Sequence, residues 1–294
     1  MRFLRVGPLG QERPVLATDD DHYYDLRPVT ADIDAQFLAE DGLNRAERAF
    51  RAGDLSRTAV DGERIGTPLR RPTSLICIGM NYEAHAAESG AAAPENVVFF
   101  FKKSNAVIGP NDDVLIPVAA DRVDWEVELG VVIGAECRYL TSREAAQDRV
   151  AGYVLVNDVS ERGFQLDLSG GQWSKGKCCE TFSPMGPWLA TPGYLGDPQA
   201  LRLRSWVNDQ PRQDSNTADM IFGVADIICA LSQYMVLEAG DVICTGTPQG
   251  VALSGRFHYL GAGDVMRLEI DRLGSMQQRL RPAELPDATW AGPR

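Results

Sequence analysis

The chain has 294 residues, is 44% hydrophobic, and carries 29 Lys plus Arg against 41 Asp plus Glu, a formal charge of −12. That length and apolar fraction suffice for one large core or two modest ones and exclude disorder for the bulk of it. The acidic balance excludes a phosphate-backbone binder, and no apolar run approaches a bilayer-spanning length.

Residues 1–8 lack the apolar stretch of a secretory signal, so the expectation is a cytoplasmic protein acting on a small molecule, with neither nucleic-acid nor membrane partner. The six cysteines show no CxxC pair and mostly sit in apolar runs, as reduced, buried thiols do. Cys178 and Cys179 lie near Lys175 and Lys177, which leaves a reactive thiol as the alternative.

In chain order, residues 3–6 and 13–17 flank a Gly-Pro-Leu-Gly turn and predict a hairpin. Apolar residues at helical spacing over 31–52 (Ile33, Phe37, Leu38, Leu43, Ala46, Phe50) predict a helix. From Ser74 strands dominate, expected at 75–78, 97–101, 126–133, 152–157, 201–207, 242–245 and 265–270. Helices are expected at 142–150 and 218–235, the latter capped by Thr217. From Ala283 the polar, Pro-containing tail is expected to fray. The chain divides into a small N-terminal domain (1–70), a larger catalytic unit (71–282) and a tail (283–294). Its class is β-rich α+β rather than a doubly wound parallel sheet.

Five stretches carry residues suited to chemistry. In Asp124-Trp125-Glu126-Val127-Glu128 the two glutamates share a strand face, about 7 Å apart at their Cα atoms, and can converge on one cation. A solvated edge strand would show the same pattern. Asp158, ending the apolar strand before it, is either a third ligand or a cap. Three carboxylates without paired His or Cys suit Mg²⁺, with Mn²⁺ admissible. His85 and Glu88, at i and i+3 if 82–89 is helical, form either a base with its orienting carboxylate or a surface pair. Lys175-Gly176-Lys177 lacks the pattern of a nucleotide-binding loop. Thr245-Gly246-Thr247-Pro248 is either a carboxylate-binding turn or only a turn.

Taken in order from about Pro72 to Gly274, these stretches resemble the fumarylacetoacetate hydrolase family. The pieces are Gly79-Met80-Asn81-Tyr82 with His85 and Glu88, Asp124-Trp125-Glu126-Val127-Glu128, Asn157-Asp158-Val159-Ser160 with Arg162 and Gln165, Gly176-Lys177, and Thr245-Gly246-Thr247-Pro248. The resemblance implies a mixed β-roll, a homodimer, and a divalent metal on Glu126, Glu128 and Asp158. It places Arg162, Gln165, Lys177, Thr247 and Lys102 at substrate, and His85 with Glu88 as a dyad on a closing segment. One departure concerns substrate identity: many members read Ser-Ala-Arg-Asp where this chain has Ser160-Glu161-Arg162-Gly163. With Gln172-Trp173, that form is similar to a bacterial subgroup often labelled ureidoglycolate lyase, which also includes hydrolases of 2,4-diketo-3-deoxy sugar acids. The implied reaction is metal-dependent hydrolysis of a 2,4-diketo acid to pyruvate and a carboxylic acid, with Lys177 stabilising the expelled enolate. A lyase, decarboxylase or tautomerase on a similar chelated enolate is the alternative, and a non-catalytic metal-bound protein a further one.

Overall fold

Runs of β-branched and aromatic residues bounded by Gly, Asn and Asp turns fold into sheets because such side chains pack well on a pleated surface. A computed structural model describes residues 1–88 and 92–284. A mixed ten-stranded sheet runs Tyr23–Asp25, Arg13–Ala17, Arg2–Val6, Ser183–Ala190, Val150–Asn157, Val127–Ile133, Val242–Cys244, Leu75–Gly79, Val98–Lys102, with Val107–Ile108 beside Ser183–Ala190. A five-stranded sheet runs Gln210–Asn216, Arg202–Val207, Val265–Ile270, Gly274–Pro282, Val114–Ile116. The fold is thus β-rich α+β, as expected from the sequence.

The N-terminal hairpin forms over Arg2–Val6 and Arg13–Ala17. It extends the main sheet, since Phe3 pairs with Leu189. Phe3, Leu16 and Ile33 share a core with Leu75, Val154 and Met185. The single helix expected over 31–52 is two, Ala35–Ala39 and Gly42–Ala52, because Asp41 between them adopts a left-handed φ of 58°. The helix expected over 218–235 is confined to Val224–Leu231. Residues just before it are held extended by tertiary bonds: the Ile221 N–H donates to the Asn81 carbonyl and the Phe222 N–H to the Asn81 side chain, both at 2.8 Å. The tail from residue 285 lies outside the described residues, as does part of the segment expected to close over the site. Among the described residues no helix is long and apolar enough to cross a membrane.

The site is positioned by two antiparallel strands, Val127–Ile133 and Val150–Asn157, paired with Val127 opposite Asn157 and Glu128 opposite Val156. At their shared end the Asp158 N–H donates to the Glu126 carbonyl at 3.0 Å. The Glu126 N–H donates to the Asn157 side chain at 3.1 Å. Carboxylates some thirty residues apart in sequence are thereby fixed side by side. Val127, Leu129, Val131 and Ile133, on the other face of their strand, belong to the larger core.

Candidate active site

A cavity of about 390 Å³ opens at this strand end and is lined by His85, Glu88, Glu126, Glu128, Asp158, Arg162, Gln165, Lys177 and Thr247 among others. Glu126, Glu128 and Asp158 each offer an oxygen, all within 4.8 Å of one another, and all three residues are buried. A second cavity, about 450 Å³, lies between the N-terminal helices and Gly134–Ala135 and holds no such cluster among the described residues.

The three carboxylates differ electrostatically. Burial would raise Glu126, but Lys177 and Arg162 overcome it and hold the carboxyl well below its usual range. Glu128 goes the other way: burial, then the neighbouring Asp158 charge, push it far up. It accepts the Gly246 N–H at 2.9 Å. Gly246 has φ of +93°, and a Cβ there would lie 2.9 Å from that of Asn81, so the Thr245-Gly246-Thr247 turn requires its glycine. Glu128, buried with no ion pair among the described residues, and the three hard oxygen donors converging there fit a divalent cation such as Mg²⁺ or Mn²⁺.

Basic residues close the arrangement. Lys177 Nζ lies 2.6 Å from Glu126 and 2.8 Å from Asp158. Despite burial, these carboxylates raise its pKa, so the ammonium stays protonated. Arg162 donates from Nη2 to Glu126 at 2.6 Å and from Nη1 to Gln165 at 2.8 Å, and is likewise held charged. Thr247 donates to the Val127 carbonyl at 2.9 Å and accepts from Gln213 at 2.8 Å. Lys102, expected at the substrate, is directed elsewhere. Its ammonium bonds the Asp158 carboxylate and the carbonyls of Val159 and Phe182 at 3.2 and 2.7 Å, which uses all three protons.

His85 and Glu88 occupy a short helix, Glu83–Glu88, at the cavity edge. His85 Nδ1 is 3.9 Å from Glu88 Oε2, too far for a hydrogen bond, and has no partner among the described residues. Burial lowers the imidazole pKa, so the ring is neutral at neutral pH. The Glu88 carboxylate instead holds the facing loop, accepting the Gly250 N–H at 3.0 Å and pairing with Arg256. The other two histidines, His22 and His258, do not line the cavity.

Sequence reasoning assigned Asp124 no role. It is fully buried beneath the cavity, accepts N–H groups from Trp125, Ala252 and Leu253 at 2.8–3.0 Å, and pairs with Arg162. Its place two residues before Glu126 was the available signal. The unusual Glu161 serves the architecture. It is buried and accepts the backbone N–H of Phe164 and of Arg122 at 2.5 and 3.0 Å, fixing the turn that carries Arg162 and Gln165. Of the cysteines, Cys179 is pushed up to about 11 by burial, which argues against a reactive thiolate.

Residues 74–281 match the fumarylacetoacetate hydrolase C-terminal family. The chain belongs to the fumarylacetoacetate hydrolase family. It is a hydrolase-type enzyme of that family. It is 44% identical over 284 residues to the 2,4-didehydro-3-deoxy-L-rhamnonate hydrolase of Sphingomonas sp. (strain SKA58), covering 95% of this chain and 96% of that one. Among solved structures it is similar to the fumarylacetoacetate hydrolase of psychrophilic Exiguobacterium antarcticum, with 31% identity, a TM-score of 0.82, and coverage of 96% and 100%. It is also similar to maleylpyruvate hydrolase from Sphingobium sp. SYK-6, whose structure contains manganese(II) and pyruvate, with 30% identity, a TM-score of 0.79, and coverage of 97% and 100%.

Proposed function

We propose that this family member is a divalent-metal-dependent hydrolase, served by Mg²⁺ or Mn²⁺, that cleaves the C3–C4 bond of a 2,4-diketo acid. The substrate would be an acylpyruvate or a 2,4-diketo-3-deoxy sugar acid, and the products pyruvate and a carboxylic acid. The observation that carries this is one cavity holding both the Glu126, Glu128, Asp158 cluster and a neutral, buried His85. The name of the Sphingomonas relative and the manganese and pyruvate in the Sphingobium structure support the substrate class.

Glu126, Glu128 and Asp158 would hold the cation, which supplies Lewis-acid polarisation when bound. His85 takes a proton from water, whose oxygen bonds C4 as the C3–C4 bond breaks, while Glu88, bonded to the Gly250 loop, anchors the short helix that carries the ring. The electron pair passes to C3 as the enolate of pyruvate, and C3 then takes up a proton. Lys177, held protonated, turns the proton it shares only weakly with the Asp158 carbonyl, at 3.5 Å, toward the developing oxyanion. Arg162 sets the Gln165 side chain, whose carbonyl it occupies, so that the amide NH₂ meets a substrate oxygen. Thr247 adds a hydroxyl at the cavity wall. Lys102 acts as a positioning residue for Asp158.

The test is product release from chelator-stripped protein given acylpyruvates, 2,4-diketo-3-deoxy sugar acids, oxaloacetate and ureidoglycolate, each with and without Mg²⁺. Metal-dependent pyruvate together with the matching carboxylic acid is expected from a diketo acid, and is expected to vanish in Glu126→Ala and Asp158→Ala. Pyruvate from oxaloacetate alone, or glyoxylate and urea from ureidoglycolate alone, would replace hydrolysis by decarboxylase or lyase chemistry.

A further inference from the structure

One wall of the cavity leads away from the carboxylates and is aromatic. The Lys177 ammonium that pairs with Glu126 and Asp158 lies over the Phe100 ring, 5.4 Å from its centroid. Phe100 meets Trp173 edge-on, with ring centroids 5.8 Å apart and planes at 68°. Trp173 in turn rests on the strand end at Gly79. A Cβ at Gly79 would come within 2.5 Å of the indole Cζ3 and 3.2 Å of Cη2. The φ of Gly79 is not in the left-handed region, so the requirement for glycine here is one of space: its missing side chain is where the indole sits. Ile78 and Met80, flanking Gly79, also line the cavity. Along this wall the surroundings therefore pass from paired charges to hydrocarbon and aromatic faces.

We infer that the Phe100–Trp173 wall seats the acyl tail of the substrate, and that Trp173, lodged on Gly79, is a specificity-determining residue selecting tails with an apolar end. The inference rests on the diketo-acid reading, which puts the pyruvyl half at the carboxylate cluster and sends the acyl half along whatever wall leaves it. An apolar wall desolvates a terminal methyl at a gain but strips water from a terminal hydroxyl without replacing it. Phe100 offers no hydrogen-bonding atom and Trp173 only one, the indole N–H. Two other apolar liners, Leu166 and Leu253, come from the turn after Arg162 and from the loop held by Asp124, and they serve as the control.

The experiment measures kcat/KM of the whole protein with Mg²⁺ on pyruvates bearing acetyl, propanoyl, butanoyl and 3-hydroxypropanoyl groups. The last replaces the terminal methyl of butanoyl by hydroxyl. For the native protein we expect a rise of about fourfold per methylene, the value of a buried methylene, and a preference for butanoyl over its hydroxyl counterpart. Trp173→Ala and Gly79→Ala should flatten that rise, with the penalty for longer tails falling on KM. Trp173→Phe, which keeps a ring on the wall, should retain most of the rise, as should Leu253→Ala. A rise unchanged in both Trp173→Ala and Gly79→Ala, or lost in Leu253→Ala instead, overturns the inference and leaves the hydrolase reading standing. If the native protein turns over none of the four, this inference is overturned; if it also turns over no 2,4-diketo-3-deoxy sugar acid, the hydrolase reading fails with it.

Discussion

Arg162 and Asp124 are joined beneath the cavity, with the guanidinium Nε and Nη2 at 2.9 and 2.8 Å from the same Asp124 oxygen and both residues buried. Through Nη2 the arginine also reaches Glu126, while Asp124 accepts the N–H groups of Ala252 and Leu253. One carboxylate thus sets the cavity-lining arginine and the 250–254 loop in register. Asp124→Asn keeps the shape but removes the charge, leaving Arg162 without half of its counterion. Breaking a buried pair from one side costs about 3–5 kcal/mol. Urea unfolding should show a lower midpoint for Asp124→Asn, and the protein that does fold should have a raised KM. An unchanged midpoint and KM would show that the pair is dispensable.

The pH profile follows from His85. Burial, the largest influence, lowers its pKa, and Arg162 acts the same way; Glu126, Glu88 and Asp124 oppose it but do not win. In the proposed mechanism the working form is the neutral ring. A pKa below the ordinary imidazole value near 6.5 means that activity persists at that pH and is lost only as pH falls further. A bound cation adds positive charge and pushes in the same direction. The acid limb of kcat/KM should therefore lie below about 6.5. In Glu88→Gln, which removes a charge that props the pKa up, the limb should move lower still. A limb above that value, or one that rises in Glu88→Gln, would remove His85 from the role of base.

Lys102 separates two roles by thermodynamics. Its side chain is 1% exposed and its ammonium pairs with an equally buried Asp158. If it positions Asp158, Lys102→Met leaves excess negative charge among the three carboxylates and lowers the melting temperature. Saturating Mg²⁺ should then restore much of the loss, because a cation that binds only the folded state stabilises it by about 2.7 kcal/mol at a hundred times its Kd. If Lys102 instead contacts substrate, melting is unchanged and only KM responds.

How far the sequence was legible depended on how local the cause was. The strands ending at Ile133 and Asn157 declare themselves by largely apolar runs, the one ending at Ile270 by alternation of buried Met266, Leu268 and Ile270 with Arg267 and Glu269, and Glu126 and Glu128 share a face in the same way. The strand Ser183–Ala190 was hidden by Pro184 and Pro187, which read as breakers; Pro187 falls where its ladder with Val150–Asn157 is irregular, and Pro184 near the strand's start, where a sheet tolerates them. Gly274–Pro282 alternates buried and exposed residues, but buried Gln278 spoils the apolar pattern because its partner, Asn157, lies 121 residues away. Asp124 was only partly legible: its place two residues before Glu126 was a signal, but its donors at Ala252 and Leu253 become neighbours only in the folded chain. The His85–Glu88 spacing was legible, whereas the competing hold of Gly250 and Arg256 on Glu88 was not.

Gly176 sits where two segments of the site touch. It precedes Lys177 in a stretch that looks like a fragment of a phosphate loop, yet its φ is not left-handed and its N–H is turned to the Trp173 carbonyl at 3.1 Å. What it lacks is bulk. A Cβ there would collide with the Glu161 carbonyl oxygen, the Gln165 N–H nitrogen and the Gln165 Cβ, and the first two are backbone atoms that cannot swing aside. The close approach brings the helix bearing Lys177 against the turn bearing Arg162 and Gln165. Gly176→Ala must separate the two, at a cost of about 1–3 kcal/mol for overpacking. We expect a lower melting temperature and, at temperatures where the variant is folded, a drop in both kcat and substrate affinity as Lys177 and Gln165 move apart. A variant that melts normally but still loses activity would assign Gly176 a role in catalysis itself; one that is native in both respects would show that the approach is looser than the backbone indicates.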